Sequence, residues 1–450
     1  MSDVPPEVET TAPVTGARRS TTLYAVATYA TSVGASVLGL ANVLVVSRTL
    51  GPAGRGQVAF LTTISTLTAL AVAMGVQSAN AYFGASRAET RAALATNSVL
   101  FAALFGGVGI GAVALLIHFV PDAGADIDPT TRWIAVASIP VVVLGNYLTM
   151  LLQSDYRFAV SNATLWAASF INVSVNGILA LIGELSVRSA ISTWVAGQVL
   201  ATVVLATYTS RRLSGFAAPD AALGRRMLGF GSKTYAGQVG MVGNYRLDQW
   251  LLGAISGQRA LGLYSVAVAW SEVLFLLPTS VVTALRPDLV RAEHRSAGES
   301  AARAFRLTAM LTVASAAVMI AAAPFLCTTL FGPSFAGSIR DLRLLAFGAI
   351  GIAAIKQLGN ALTTQGKPLR ETAGIVVAFA ITAVADLLLI PPHADLGASI
   401  ASLVTYFAGG LVMAAIFARS FDRPLLDLVP RPSDLRWCLT VVGVRFGALR

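Results

Sequence analysis

Charged residues in this chain sit in short clusters, and long apolar runs separate the clusters. That alternation constrains the fold more than any single motif. An α-helix rises 1.5 Å per residue, so about 20 apolar residues cross the roughly 30 Å hydrocarbon core of a bilayer. Twelve runs are long enough: roughly 21–46, 57–83, 92–118, 133–153, 159–183, 189–210, 234–258, 260–285, 307–331, 344–365, 372–392 and 396–418. Only 12% of the 450 residues are charged, and 55% are hydrophobic. A soluble domain carries about 25% charged residues, so too few are present here to cover a water-facing surface. The spans are expected to be helices, because a helix satisfies its own backbone hydrogen bonds in lipid. Barrel strands would show roughly ten-residue alternating segments, and these are absent from the sequence. The expected fold is an all-α integral membrane protein of about twelve transmembrane helices.

The basic residues predict orientation. With the N-terminus in the cytoplasm, 23 of the 32 Lys and Arg fall in cytoplasmic segments and seven in outer loops. Arg246 and Lys356 fall inside spans. The positive-inside rule therefore predicts both termini in the cytoplasm and an even number of spans. The net charge of +10 lies mostly at helix ends, which suits anionic membrane lipids better than nucleic acid. The Arg- and Ala-rich usage points to a bacterial cytoplasmic membrane. Cys327 and Cys438 are far apart, so no disulfide framework or metal cluster is expected.

The longest internal loop, 211–233, divides the spans into two sets of six, 21–210 and 234–418. Residues 1–20 read as a disordered cytoplasmic tail. Residues 419–450 read as a basic cytoplasmic tail in which Leu435, Cys438, Leu439, Val442, Phe446 and Leu449 share one helical face, the pattern of an interfacial helix. The two halves carry a trace of internal repetition. Gly54-Arg55-Gly56-Gln57-Val58-Ala59 and Gly262-Leu263-Tyr264-Ser265-Val266-Ala267 match at three positions, at equivalent points of the two sets. Six spans per half give both halves the same orientation, so the pseudo-twofold axis would run along the membrane normal. Such repeats suit alternating access, with substrate bound between them near the midplane.

Several segments resemble a known family. Arg246-Leu247-Asp248-Gln249-Trp250-Leu251-Leu252-Gly253, followed by Gly262 to Ala267, is similar to the seventh-to-eighth helix signature of polysaccharide flippases. These belong to the multidrug/oligosaccharidyl-lipid/polysaccharide exporter superfamily. Pro278 and Pro287 continue the likeness, as do Leu50-Gly51-Pro52 with Gly54 and Gly56, Leu330-Phe331-Gly332, and Gly397-Ala398-Ser399-Ile400-Ala401. The resemblance runs from about 21 to 418. It implies two six-helix lobes forming a V around a central cavity. It also implies export of a polyprenyl-pyrophosphate-linked oligosaccharide for cell-surface polysaccharide synthesis, and leaves open whether a polymerase and glycosyltransferases work beside it.

A charge in mid-membrane costs a few kcal/mol or more, so each is a functional candidate. Arg246, Asp248, Glu272, Lys356 and Asp386 lie well inside spans, all in the second half. Arg246 is about 20 Å along its helix from Lys233. Glu272 enters from the other side to comparable depth, which permits an Arg246–Glu272 contact. Asp248, two residues from Arg246, points to another side of the helix. Arg246 with Lys356 is the expected pyrophosphate site, since the arginine fork donates paired hydrogen bonds to phosphate oxygens. A structural ion pair is the competing reading. Asp248 and Glu272 are candidates for coupling, by re-pairing with the arginine or by taking up H⁺ or Na⁺. Asp386, near the outer end of its span, reads as an interfacial or gating residue. Arg48 and Arg55 flank the first outer turn, either as solvated loop charges or as phosphate contacts at the cavity mouth. Asn42, Gln77, Asn80, Asn97, Asn146, Tyr147, Asn162, Asn172, Asn176 and Gln198 could contact sugar hydroxyls, with Trp166 or Trp194 stacking on rings, although such residues more often bind helices together.

Other classes fit less well. An ion-coupled multidrug exporter of the same superfamily often carries a carboxylate in its first helix, and Thr21 to Val46 contains none. A membrane-embedded glycosyltransferase or polymerase would want a large soluble loop, and no loop is longer than 211–233. His118, His294 and His393 do not cluster, and no phosphate-binding GxxxxGK[ST] occurs. The expectation is a transporter, not an enzyme, with no cofactor.

Overall fold

The computed structural model describes residues 15–86, 90–120, 124–291, 294–431 and 434, and helices dominate throughout. They are α1 (Thr15–Val72), α2 (Val76–Ser86), α3 (Arg91–Phe119), α4 (Pro129–Ala137), α5 (Ile139–Ser154), α6 (Phe158–Leu181), α7 (Val187–Tyr208), α8 (Ala221–Ile255), α9 (Gln258–Arg291), α10 (His294–Pro324), α11 (Ser338–Thr364) and α12 (Pro368–Phe421). Among the described residues, nine helical stretches are long and apolar enough to cross a membrane. Two of them hold two passes each. The break in α1 is Gly51, at φ 67 and ψ −174, a conformation open only to glycine, and Pro52 starts the second arm. The break in α12 is Ala394, at φ 51, just after Pro391 and Pro392. With α8, the least apolar of the long helices, twelve passes result among the described residues.

Local sequence sets the ends of these helices. Asp128 caps α4 by accepting from the Thr131 amide at 2.9 Å, with Pro129 behind it. Asp220 does the same for α8 through the Leu223 amide. Ser186 and Ser189 form a reciprocal capping box on α7. The helices overrun the predicted spans, because hydropathy marks only the part that meets lipid. Residues 15–20 thus belong to α1 rather than to a disordered tail. Residues 221–233, expected as linker, are the first turns of α8. Residues 1–14 and the proposed interfacial helix at 435–449 lie outside the described residues.

Six passes form each lobe. In the N-terminal lobe the first arm of α1 packs on α6, α6 on α7, and α2, α3 and α7 on α5. In the C-terminal lobe α11 is the hub, packed against α9, α10 and α12, while α8 lies along α12. The lobes meet where α1 packs on α9 and where α1 and α2 pack on α8.

Beyond α12, the segment 423–431 and Asp434 fold onto α10. Arg306 donates to both oxygens of Asp434, at 2.7 and 3.1 Å, and to the Asp427 carbonyl at 2.6 Å. The Arg306 hydrogen bond holds the Asp434 carboxyl below its ordinary value. A depressed carboxylate stabilises the folded form above its unfolded pKa of about 3.9, and that contribution is lost as pH falls through the lower folded value. Asp434→Asn is expected to cost about 1–3 kcal/mol by removing a charged hydrogen bond from a buried partner. Hydrogen exchange of 423–431 checks both points. Protection should fall in the variant at pH 7, and in the wild type only below about pH 4.

Candidate functional site

A cavity of about 360 Å³ opens between the lobes, walled by both arms of α1 and by α8 and α9. Arg55, Arg246 and Glu272 line it, with Gln249, Thr63 and Ser36. Arg246 and Glu272 form an ion pair at 2.9 Å, each a little over one third exposed (35% and 38%). The helices supply this geometry directly. Arg246 faces inward from α8, and Glu272 reaches the same depth from the antiparallel α9. Arg55 sits four residues past the Gly51 break, which turns it down into the cavity instead of leaving it in a solvated loop. The cavity therefore holds two guanidiniums against one carboxylate. Two donors beside it, Arg55 Nε and Gln249 Nε2, are buried and have no hydrogen-bond partner among the described residues. Gln249 also meets the opposite lobe, where the Thr63 hydroxyl lies 3.5 Å from its amide oxygen. Unsatisfied buried donors are costly, so the arrangement favours an anion that accepts from them.

Above and below the cavity along the helices, the lobes come into close backbone contact. Near the Gly51 turn, a Cβ on Gly56 would collide with the Gln258 backbone, and one on Gly262 with that of Pro52. These are the two repeat segments noticed in the sequence, and here they pack against each other. At the opposite end Gly75 (φ 68) lies against Gly231. There Gln77 donates to Gln238 at 2.6 Å, and Gln238 to the Ser78 hydroxyl at 2.7 Å. The Tyr235 hydroxyl donates to the Ala71 carbonyl, and Tyr82 stacks on Phe230 with centroids 4.6 Å apart. A side chain at Gly231 would strike the backbone of Met74 and Gly75, which cannot swing aside. Gly231→Val is therefore expected to hold this end open. A cysteine at Gln77 should then react with a water-soluble maleimide at least about tenfold faster than in the glycine parent. An unchanged rate would mean that the glycine contact does not keep this end shut.

The remaining candidates lie elsewhere. Asp248 points away from the cavity into the core of the C-terminal lobe. There it accepts from the Tyr264 hydroxyl, from Ser402 at 3.2 Å and from the Gln249 amide at 2.6 Å. Asp386 corrects the expectation of an interfacial residue. It is fully buried where α12 packs against α8 and α11. It lies close enough to Asp248 for the carboxylates to interact, and among the described residues neither of its oxygens has a hydrogen-bond partner. Asn244 and Thr382, joined by a hydrogen bond, lie one turn before Asp248 and Asp386 on their helices. Lys356 does not line the cavity. It donates to Thr279 at 3.0 Å and lies 6.0 and 5.7 Å from the ring centroids of Tyr245 and Phe275. Arg48 donates to the Thr329 carbonyl at 2.9 Å, a tie between the lobes. The sequence reading passed over the part that Tyr264 and Ser402 play around Asp248. Only the packing of α9 and α12 brings them there, although Tyr264 stood inside the repeat motif.

The sequence profile described as "Polysaccharide biosynthesis protein" matches residues 45–340, which include the cavity-lining Arg55, Arg246 and Glu272. The chain belongs to this family. The chain shares its fold with solved transporters. "Lipid II flippase MurJ, inward closed conformation" superposes with a TM-score of 0.72 at 13% identity, covering 90% of this chain and 89% of that one. An inward-facing multidrug resistance MATE family transporter of the MOP superfamily gives 0.67 at 15% identity, over 86% and 96%. A MOP superfamily transporter from Pyrococcus furiosus gives 0.61 at 13% identity, over 90% and 96%. At these identities the likeness is one of fold. Comparison with curated protein sequences gives no match.

Proposed function

We propose that this protein flips a polyprenyl-pyrophosphate-linked oligosaccharide from the inner to the outer leaflet of a bacterial cytoplasmic membrane by alternating access. The observation that carries this reading is the cationic inter-lobe cavity, with Arg55 and Arg246 against the single carboxylate Glu272. A pyrophosphate would bind between the guanidiniums and the orphaned Gln249 amide, loosening Arg246 from Glu272. The MurJ-like fold and the polysaccharide family support the substrate class. With both termini cytoplasmic, the Gly56–Gly262 approach is the outer gate and the Gly75–Gly231 approach the inner one.

Asp248 and Asp386 are the proposed coupling site. Two buried carboxylates, one of them without a hydrogen bond among the described residues, are stable when a proton or an oxygen-loving cation such as Na⁺ sits among them. Tyr264, Ser402 and Asn244 would supply neutral oxygens around it. Binding there would bias the packing of α8, and α8 carries Arg246.

Reconstituted vesicles test the function. A polyprenyl-pyrophosphate oligosaccharide placed in one leaflet should appear in the other only with protein present. Failure with a panel of lipid-linked sugars, together with ion-driven efflux of organic cations, would instead establish a small-molecule exporter.

A further inference from the structure

We propose that a second cavity, inside the N-terminal lobe, receives the sugar portion of the substrate; the proposal rests on the lipid-linked oligosaccharide reading above. This cavity has a volume of about 380 Å³ and lies between the first arm of α1, α5, α6 and α7. Ser32, Asn146, Thr149, Asn162, Trp194 and Gln198 line it, and among the described residues no charged side chain does. Its size falls in the range of ligand pockets, about 300–1,000 Å³.

The chemistry differs from that of the inter-lobe cavity. Amides and hydroxyls both donate and accept, as sugar hydroxyls do, and they carry no charge to select an ion. Trp194 offers a flat apolar face of the kind a pyranose ring can lie on. Some polar residues here do hold helices together. Gln153 donates to Ser161 at 3.2 Å, and the Thr202 hydroxyl to the Val141 carbonyl at 3.2 Å. Asn146 and Gln198 behave differently. Asn146 is exposed although it lies within a membrane-crossing helix, Gln198 is half-buried, and neither side chain makes a hydrogen bond among the described residues. An amide that glued two helices would be paired across them. Amides held open inside a lobe suit a polar guest.

The two cavities share a wall. Ser32 faces the sugar cavity and Ser36, one turn along α1, faces the cationic cavity. The Ser36 hydroxyl donates to the Ser32 carbonyl at 2.9 Å, so this stretch of α1 is regular. One turn is about 5.4 Å. A single molecule with a pyrophosphate and an attached sugar is therefore long enough to occupy both sites.

The test compares farnesyl pyrophosphate with the same lipid carrying one of several neutral hexoses or N-acetylhexosamines. Affinities for the purified full-length protein are measured by thermophoresis. In the wild type at least one sugar-bearing lipid should bind about tenfold more tightly than the bare lipid, the equivalent of one or two hydrogen bonds. In N146L combined with Q198L that ratio should fall to about one. A wild-type ratio near one for every sugar, or a ratio that survives in the double variant, overturns the proposal. If the bare lipid fails to bind while a sugar-bearing one binds and the double variant abolishes it, the sugar site stands and the pyrophosphate reading falls. Failure of every lipid to bind the wild type overturns both.

Discussion

Replacing Arg246 with alanine is expected to lower flipping of a lipid-linked pyrophosphate in vesicles by about 10- to 100-fold. That range corresponds to a charged hydrogen bond of roughly 1.5–3 kcal/mol. Arg246 is the cavity arginine paired with the single lining carboxylate, at 2.9 Å from Glu272. Alanine leaves Glu272 facing the cavity without that partner, so the site both loses a phosphate donor and gains a repulsive charge. Arg246→Lys should recover only part of the rate, because an ammonium restores the charge but not the paired donation of the guanidinium. Glu272→Gln gives the opposite sign for binding. It frees Arg246 and removes the repulsion, so affinity for farnesyl pyrophosphate should rise while turnover need not. Equal transport by wild type and Arg246→Ala would reduce the pair to a structural tie between α8 and α9.

The second large effect is expected at Asp386. A carboxylate that is fully buried without a hydrogen bond is a stability cost when ionised. Asparagine keeps its shape and removes its charge. Asp386→Asn should therefore raise the midpoint of thermal unfolding in buffer without Na⁺, by about 1 °C for each kcal/mol relieved in a chain of 450 residues. It should also abolish any acceleration of transport by an ion gradient. Lower stability combined with intact gradient dependence would show that Asp386 takes no part in coupling. Asp248→Asn makes a useful contrast. Asp248 accepts from Tyr264, Ser402 and the Gln249 amide, so its loss should destabilise the lobe as well as uncouple transport. The opposed stability changes separate a poised ion site from a core hydrogen-bond network.

Much of the fold was legible in the sequence because lipid is an exacting solvent. A chain that must hide its backbone polar groups over about 20 residues advertises each crossing by hydropathy alone. About twelve spans and their division into two sets of six follow from one-dimensional pattern, while the turn at Gly51 came from the family resemblance. Helix ends were less legible. Residues 221–233 carry charge and so read as linker, yet Asp220 caps them into α8.

The Arg246–Glu272 contact was also within reach, since depth along two antiparallel helices is simple arithmetic. The other candidates required tertiary structure. Periodicity shows which side of a helix a residue takes, but not what stands opposite. Lys356, likewise charged and inside a span, turned out to face Thr279 and two aromatic rings rather than line the cavity. Asp386 lay near a span end in sequence, and only the packing of α12 on α8 and α11 buried it beside Asp248. Composition and spacing pointed to an all-helical membrane chain of about twelve spans in two sets of six. Which of its few intramembrane charges share a cavity was decided by helix packing, because a side chain's partner is set by the neighbouring helix and not by its own.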